Sequence, residues 1–197
     1  MDLLPIYRSA VHQFDSRVRA VRAGQWTAPT PDSEWDVRQL VGHVVAGQWA
    51  VSEVLDSRPA AAAGGSPGDQ GSVADEVADD PVGAWERASA AALAALSRPH
   101  ALDRAVTYLH GEVSAVDYCW QASTELTVHA WDLARAIGAA DEFPNDLLAE
   151  VLDHAKESFD RWHSEQRYAA SIPVPGCTDD LTELLALTGR NRWWRPA

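Results

Sequence analysis

Residues 124–138 read TELTVHAWDLARAIG. The stretch has the make-up of a helix interior, and Gly138 supplies the glycine that commonly ends a helix. Within it Glu125 and His129 stand four residues apart among apolar neighbours. That spacing places both side chains one turn apart on one helical face. A buried carboxylate and imidazole on one face are costly unless something engages them. Extending the face adds Tyr118, Gln121, Ala122, Asp132, Leu133 and Ala136.

Working outward, the pattern predicts this helix over about 112–137. A second long helix is predicted at about 35–57, with an apolar stripe of Val37, Leu40, Val41, Val44, Val51, Val54 and Leu55 and with His43 on the flank of that stripe. Gly42 and Gly47 lower its intrinsic helicity but clear space beside His43. Asp32 or Ser33 is read as its N-cap. Further helices are predicted at 2–23, at 81–97 with an alanine-rich packing face, and from about Pro144 to His163. A short final helix in DDLTELLALTG stops at Gly189. The Gly/Pro-containing, acidic run 58–81 reads as a flexible loop, and AVTYLH in the crossover 101–115 as a short strand or hairpin. The expected architecture is all-α: a single domain over 1–197, built as a four-helix bundle with crossover connections and a short C-terminal helix.

The chain has 16 Lys and Arg against 29 Asp and Glu, a formal net charge of −13, which argues against nucleic acid or an anionic membrane as partner. MDLLPIYRSA lacks the basic start and apolar run of a signal peptide, and no apolar window reaches spanning length. Cys119 and Cys177 lie far apart, with no zinc-type Cys/His spacing and no disulfide framework. These features point to a soluble cytoplasmic protein that acts on a small molecule.

Two side chains at i and i+4 can share a divalent ion, with His43 from the facing helix as third donor. The residues alone leave a competing reading open. Glu125 and His129 can hydrogen-bond within the helix while His43 sits satisfied in the core. Tyr118 and Gln121 can line a pocket or simply pack. Asp132 can orient a ligand histidine or pair with Arg135. His12, His100, His110, His154 and His163 lack partners at ligand spacing and read as surface or packing residues. Cys119 reads as a buried, inert thiol. RNRWWRP reads as a tail packed over the bundle or against a partner.

The motifs EWDVRQLVGHVV (34–45), TELTVHAWDLARAIG (124–138) and DDLTELLALTGRNRWWRP (179–196) resemble the metal-binding proteins related to mycothiol-dependent maleylpyruvate isomerase, among the DinB-like four-helix bundles. The resemblance rests on Trp35, Leu40 and His43 in the first motif and on Glu125, His129, Trp131, Asp132, Leu133 and Ala134 in the second. The third motif is similar to that of an actinobacterial branch. The resemblance implies a divalent metal, usually zinc, held by His43, Glu125 and His129. It further implies a mycothiol-dependent transferase or isomerase in which the metal activates a thiolate. An Ala- and Arg-rich composition with Lys156 as the only lysine agrees with such a source. Two other functions remain open on the sequence: a metal-dependent hydrolase, and a non-catalytic metal- or small-molecule-binding protein that assembles as a homodimer.

Overall fold

The computed structural model describes residues 3–56, 70–108, 111–164, 168–174, 176 and 179–196, with the side chains of 70–72 and 163–164 outside that description. Seven helices are described: α1 (Leu3–Val18), α2 (Val37–Asp56), α3 (Gln70–Asp79), α4 (Pro81–Leu96), α5 (Ala115–Ile137), α6 (Asn145–Ser164) and α7 (Asp180–Leu187). A hairpin of β1 (Ala105–Tyr108) and β2 (Gly111–Ser114) precedes α5. Its strands pair antiparallel, with Val106 opposite Val113.

Four helices form the bundle. α1 packs on α5, α5 on α2, α2 on α4 and α4 on α1. Consecutive α1 and α2 thus face each other across a diagonal, as do α4 and α5. The connectors 19–36 and 97–114 are therefore crossovers, the second at the place expected from 101–115. α6 lies against α5 and α1, outside the ring, and α7 packs on α6. The core holds Tyr7, Phe14, Leu40, Trp85, Leu126, Trp131 and Leu133, all essentially buried. Phe14 and Trp85 meet at 4.6 Å between ring centroids. On α4, Ala84, Ala88, Ala92 and Ala95 are buried and small, and α4 packs closely on α2.

Local chemistry sets the helix ends. At the start of α2, the Gln39 N–H donates to Asp36 Oδ1 and the Asp36 N–H donates to Gln39 Oε1, each at 2.9 Å. This reciprocal pair makes Asp36 the N-cap, in place of the expected Asp32 or Ser33. Ser114 accepts from the Asp117 N–H and caps α5. α5 thus begins at 115; the expected start near 112 is corrected by β2, which takes 111–114 into the hairpin. Gly138 ends α5 with φ 70°, and Gly189 follows α7 with φ 75°. A Cβ on Gly189 would stand 2.7 Å from Ala169 Cβ, so glycine is required there on two counts.

The reading of 58–81 as a loop is corrected over 70–79, which is helix α3. Val73 and Val77 are buried there, and the position a Gly42 Cβ would take is 4.0 Å from Val77 Cγ1. The composition is weakly helical, but two valines at i and i+4 give α3 an apolar edge to lay on α2. Residues 58–69 of that stretch lie outside the described residues, as do His110 and Cys177. No helix among the described residues is long and apolar enough to cross a membrane.

Candidate functional site

The site lies between α2 and α5, which run side by side. His43, Gly47, Gln48 and Val51 from α2 share one cavity with Tyr118, Gln121, Glu125 and His129 from α5. Tyr108 of the hairpin closes one side, its ring 4.6 Å from that of Tyr118. The cavity measures about 50 Å³, room for a few water-sized groups. All five residues expected to bind metal or line the pocket (His43, Glu125, His129, Tyr118 and Gln121) are thus on its wall.

Each polar group has a specific engagement. Gln121 donates its amide to Glu125 Oε1 at 3.0 Å, so Glu125 bonds along the helix to Gln121 rather than to His129. His129 is buried, and its Nδ1 lies 3.0 Å from Asp132 Oδ2. Asp132 carries no proton when ionised, so His129 donates through Nδ1 and keeps Nε2 as its free nitrogen. The His43 and His129 rings meet edge to face at 5.1 Å between centroids. Trp35 stacks on His43 at 4.3 Å, and its ring centre is 5.8 Å from that of His129. Burial, followed by the nearby His129, pushes the His43 pKa down to about 4, against the opposing pull of Glu125 and Asp32. His43 is therefore a neutral imidazole at pH 7, the state a metal ligand needs.

Asp132 does not pair with Arg135. Arg135 binds the Trp194 carbonyl and Asp141 instead. The charged neighbour of Asp132 is Arg190, whose Nη2 is 3.4 Å from Asp132 Oδ2 and 2.8 Å from Asp32 Oδ2. Burial works to lower the Arg190 pKa, but Asp132 and Asp32 outweigh it and hold it above its ordinary value. The RNRWWRP segment thus packs over the bundle: Arg190 reaches Asp132 behind His129, and Arg192 binds Asp141 at 2.6 Å.

The donor set, two imidazoles and a carboxylate on one cavity with a carboxylate behind one imidazole, fits a divalent ion in chemistry. As they stand, no three His, Cys, Asp or Glu groups among the described residues are clustered closely enough to hold one. Sequence reasoning missed Tyr108, Gln48, Asp32 and Arg190. Gln48 is buried and accepts from the Tyr7 hydroxyl at 2.8 Å. A glutamine inside an apolar stripe was a visible signal; Asp32 and Arg190, 158 positions apart, left none.

The other candidates take structural places. Cys119 is buried, and burial pushes its thiol up to about 12. His154 stacks on Trp120 at 5.4 Å, and exposed His100 bonds Asp103.

Comparison with known proteins bears on this arrangement. Residues 7–134 match the model of the mycothiol maleylpyruvate isomerase N-terminal domain. Uncharacterized proteins from two strains of Mycobacterium tuberculosis are 30% identical over 162 residues, covering 79% of this chain and 79% of theirs. Among solved structures, mycothiol-dependent maleylpyruvate isomerase superposes with a TM-score of 0.64 at 20% identity, covering 84% of this chain and 72% of that one. A histidine-to-alanine variant of it gives the same TM-score at 19% identity. Those two structures share the fold. The family match spans most of the bundle and includes His43, Glu125, His129 and Asp132, and the chain belongs to the family of the mycothiol maleylpyruvate isomerase N-terminal domain.

Proposed function

We propose that this protein binds a divalent metal, zinc by the chemistry of its donors, through His43, Glu125 and His129, and uses it in thiol transfer or isomerisation on a small molecule in the cytoplasm. The observation that carries the reading is the convergence of these three side chains on one cavity, with Asp132 behind His129. When bound, such an ion lowers the pKa of a thiol beside it, so the thiolate forms near neutral pH.

The chain's own residues do the rest. Asp132 accepts the His129 Nδ1 proton and fixes which nitrogen stays free. Gln121 holds one Glu125 oxygen and leaves the other available. Trp35 stacks on His43 and fixes the plane of its ring. Tyr108 and Tyr118 supply an apolar wall with hydroxyl groups for a polar substrate. The name of the matching family model points to mycothiol as the thiol.

Calorimetric titration of mycothiol into zinc-loaded protein tests this. Saturable binding that disappears after zinc removal is expected. Absence of binding to protein that demonstrably holds zinc would eliminate the thiol chemistry.

A further inference from the structure

Arg190 lies beyond the 7–134 span matched by the family, yet it reaches the site. Its side chain is 9% exposed. The backbone delivers it there: Gly189 turns the chain with φ 75°, and the Arg190 N–H donates to the Leu185 carbonyl at 2.7 Å. Its Nη1 is held by the Thr188 carbonyl at 3.1 Å. Nη2 then faces two carboxylates, Asp32 and Asp132.

Each carboxylate leads to a different histidine. Asp132 is fully buried and takes the His129 Nδ1 proton; its Oδ1 has no hydrogen-bond partner among the described residues. Asp132 is thus held by His129 and Arg190. Asp32 begins the turn that carries Trp35. The Trp35 N–H donates to the Asp32 carbonyl at 3.1 Å, and the Thr30 hydroxyl lies 2.9 Å from both the Asp32 and Trp35 carbonyls, between which it shares its one proton. Trp35 in turn stacks on His43, with the ring planes 29° apart.

We propose that Arg190 is a positioning residue for both histidines, holding His129 through Asp132 and His43 through Asp32 and the Trp35 turn. The inference rests on the metal reading above and deepens it: the C-terminal segment completes a site whose donors all lie on α2 and α5. The planar guanidinium suits the task, because its several N–H groups point in fixed directions and remain charged. Without it, Asp132 and the Asp32 turn lose their common anchor, and the two imidazoles lose their fixed relation.

The test is zinc affinity by competition with a chromophoric chelator, measured on folded protein, with thermal unfolding in EDTA as the stability control. Arg190→Met is expected to weaken zinc binding about 10–100-fold, the usual effect of removing a partner that orients ligands. Asp32→Asn is expected to weaken it less. In an Asp132→Asn background, Arg190→Met should add less than it costs alone, because the route to His129 is already broken. A purely structural arginine would lower the unfolding temperature and leave the zinc affinity of the folded protein unchanged; that result overturns the proposal, as do fully additive losses. If Arg190→Met does not fold, Arg190→Lys replaces it: reduced affinity supports the assignment and wild-type affinity overturns it. Wild-type protein that binds no zinc contradicts the metal reading itself, whereas equal binding by wild type and variants contradicts only the role of Arg190.

Discussion

Asp132 separates what a linear reading can reach from what it cannot. Its place three residues after His129 marks it as a helix neighbour, and the His129 contact follows from that spacing. Its other partner, Arg190, is 58 residues away and reaches it only through the packing of α7 and the turn at Gly189. The same limit applies to Glu125, whose spacing to His129 suggests a bond between them, while the rotamer present turns it to Gln121. Asp132→Asn keeps the volume but replaces the acceptor pair with an amide, and about 10–100-fold weaker metal binding is expected in chelator competition. Unchanged affinity would remove Asp132 from the site. Cys119 gives a second check at this scale. With its thiol buried and raised to about 12, it should resist iodoacetamide in the native protein and react on denaturation. The measurement uses a Cys177→Ser background, and rapid native labelling would refute the burial.

Among the elements, the long amphipathic helices were legible because their apolar stripes run over several turns. The short ones were decided elsewhere. α3 hides in a Gly-, Ser- and Asp-rich run, and its helicity comes from Val73 and Val77 lying on α2 rather than from propensity. The hairpin claimed the first residues assigned to α5, because Val113 finds Val106 across the strand pair and Ser114 supplies the cap. The two helix-ending glycines make opposite predictions about space. Gly138→Ala meets nothing within 4 Å, so only the left-handed backbone is penalised, at about 1–2 kcal/mol. Gly189→Ala adds a clash with Ala169 Cβ at 2.7 Å and with the Ala170 carbonyl at 3.0 Å. Thermal melts should therefore rank Gly189→Ala clearly below Gly138→Ala; equal melting temperatures would contradict the placement of the 169–170 segment.

For the whole molecule, the ring order α1, α5, α2, α4 puts α2 beside α5, and this adjacency places His43 on the same cavity as Glu125 and His129. A sequence can offer three donors without saying that their helices are neighbours; the crossovers at 19–36 and 97–114 settle that. An ion held by the proposed donors would tie together two helices from opposite halves of the chain, so its binding should stabilise the fold as a whole. Zinc at 100 times its dissociation constant adds about 2.7 kcal/mol, or about 5–10 °C in melting temperature for a chain of this size. EDTA should reverse the gain. The most direct measurement is the metal content of purified protein, by mass spectrometry, beside that of a folded His43→Ala variant. The account predicts close to one divalent ion per chain in the wild type and little in the variant. Equal metal in both, or none in zinc-supplemented wild type, would contradict it.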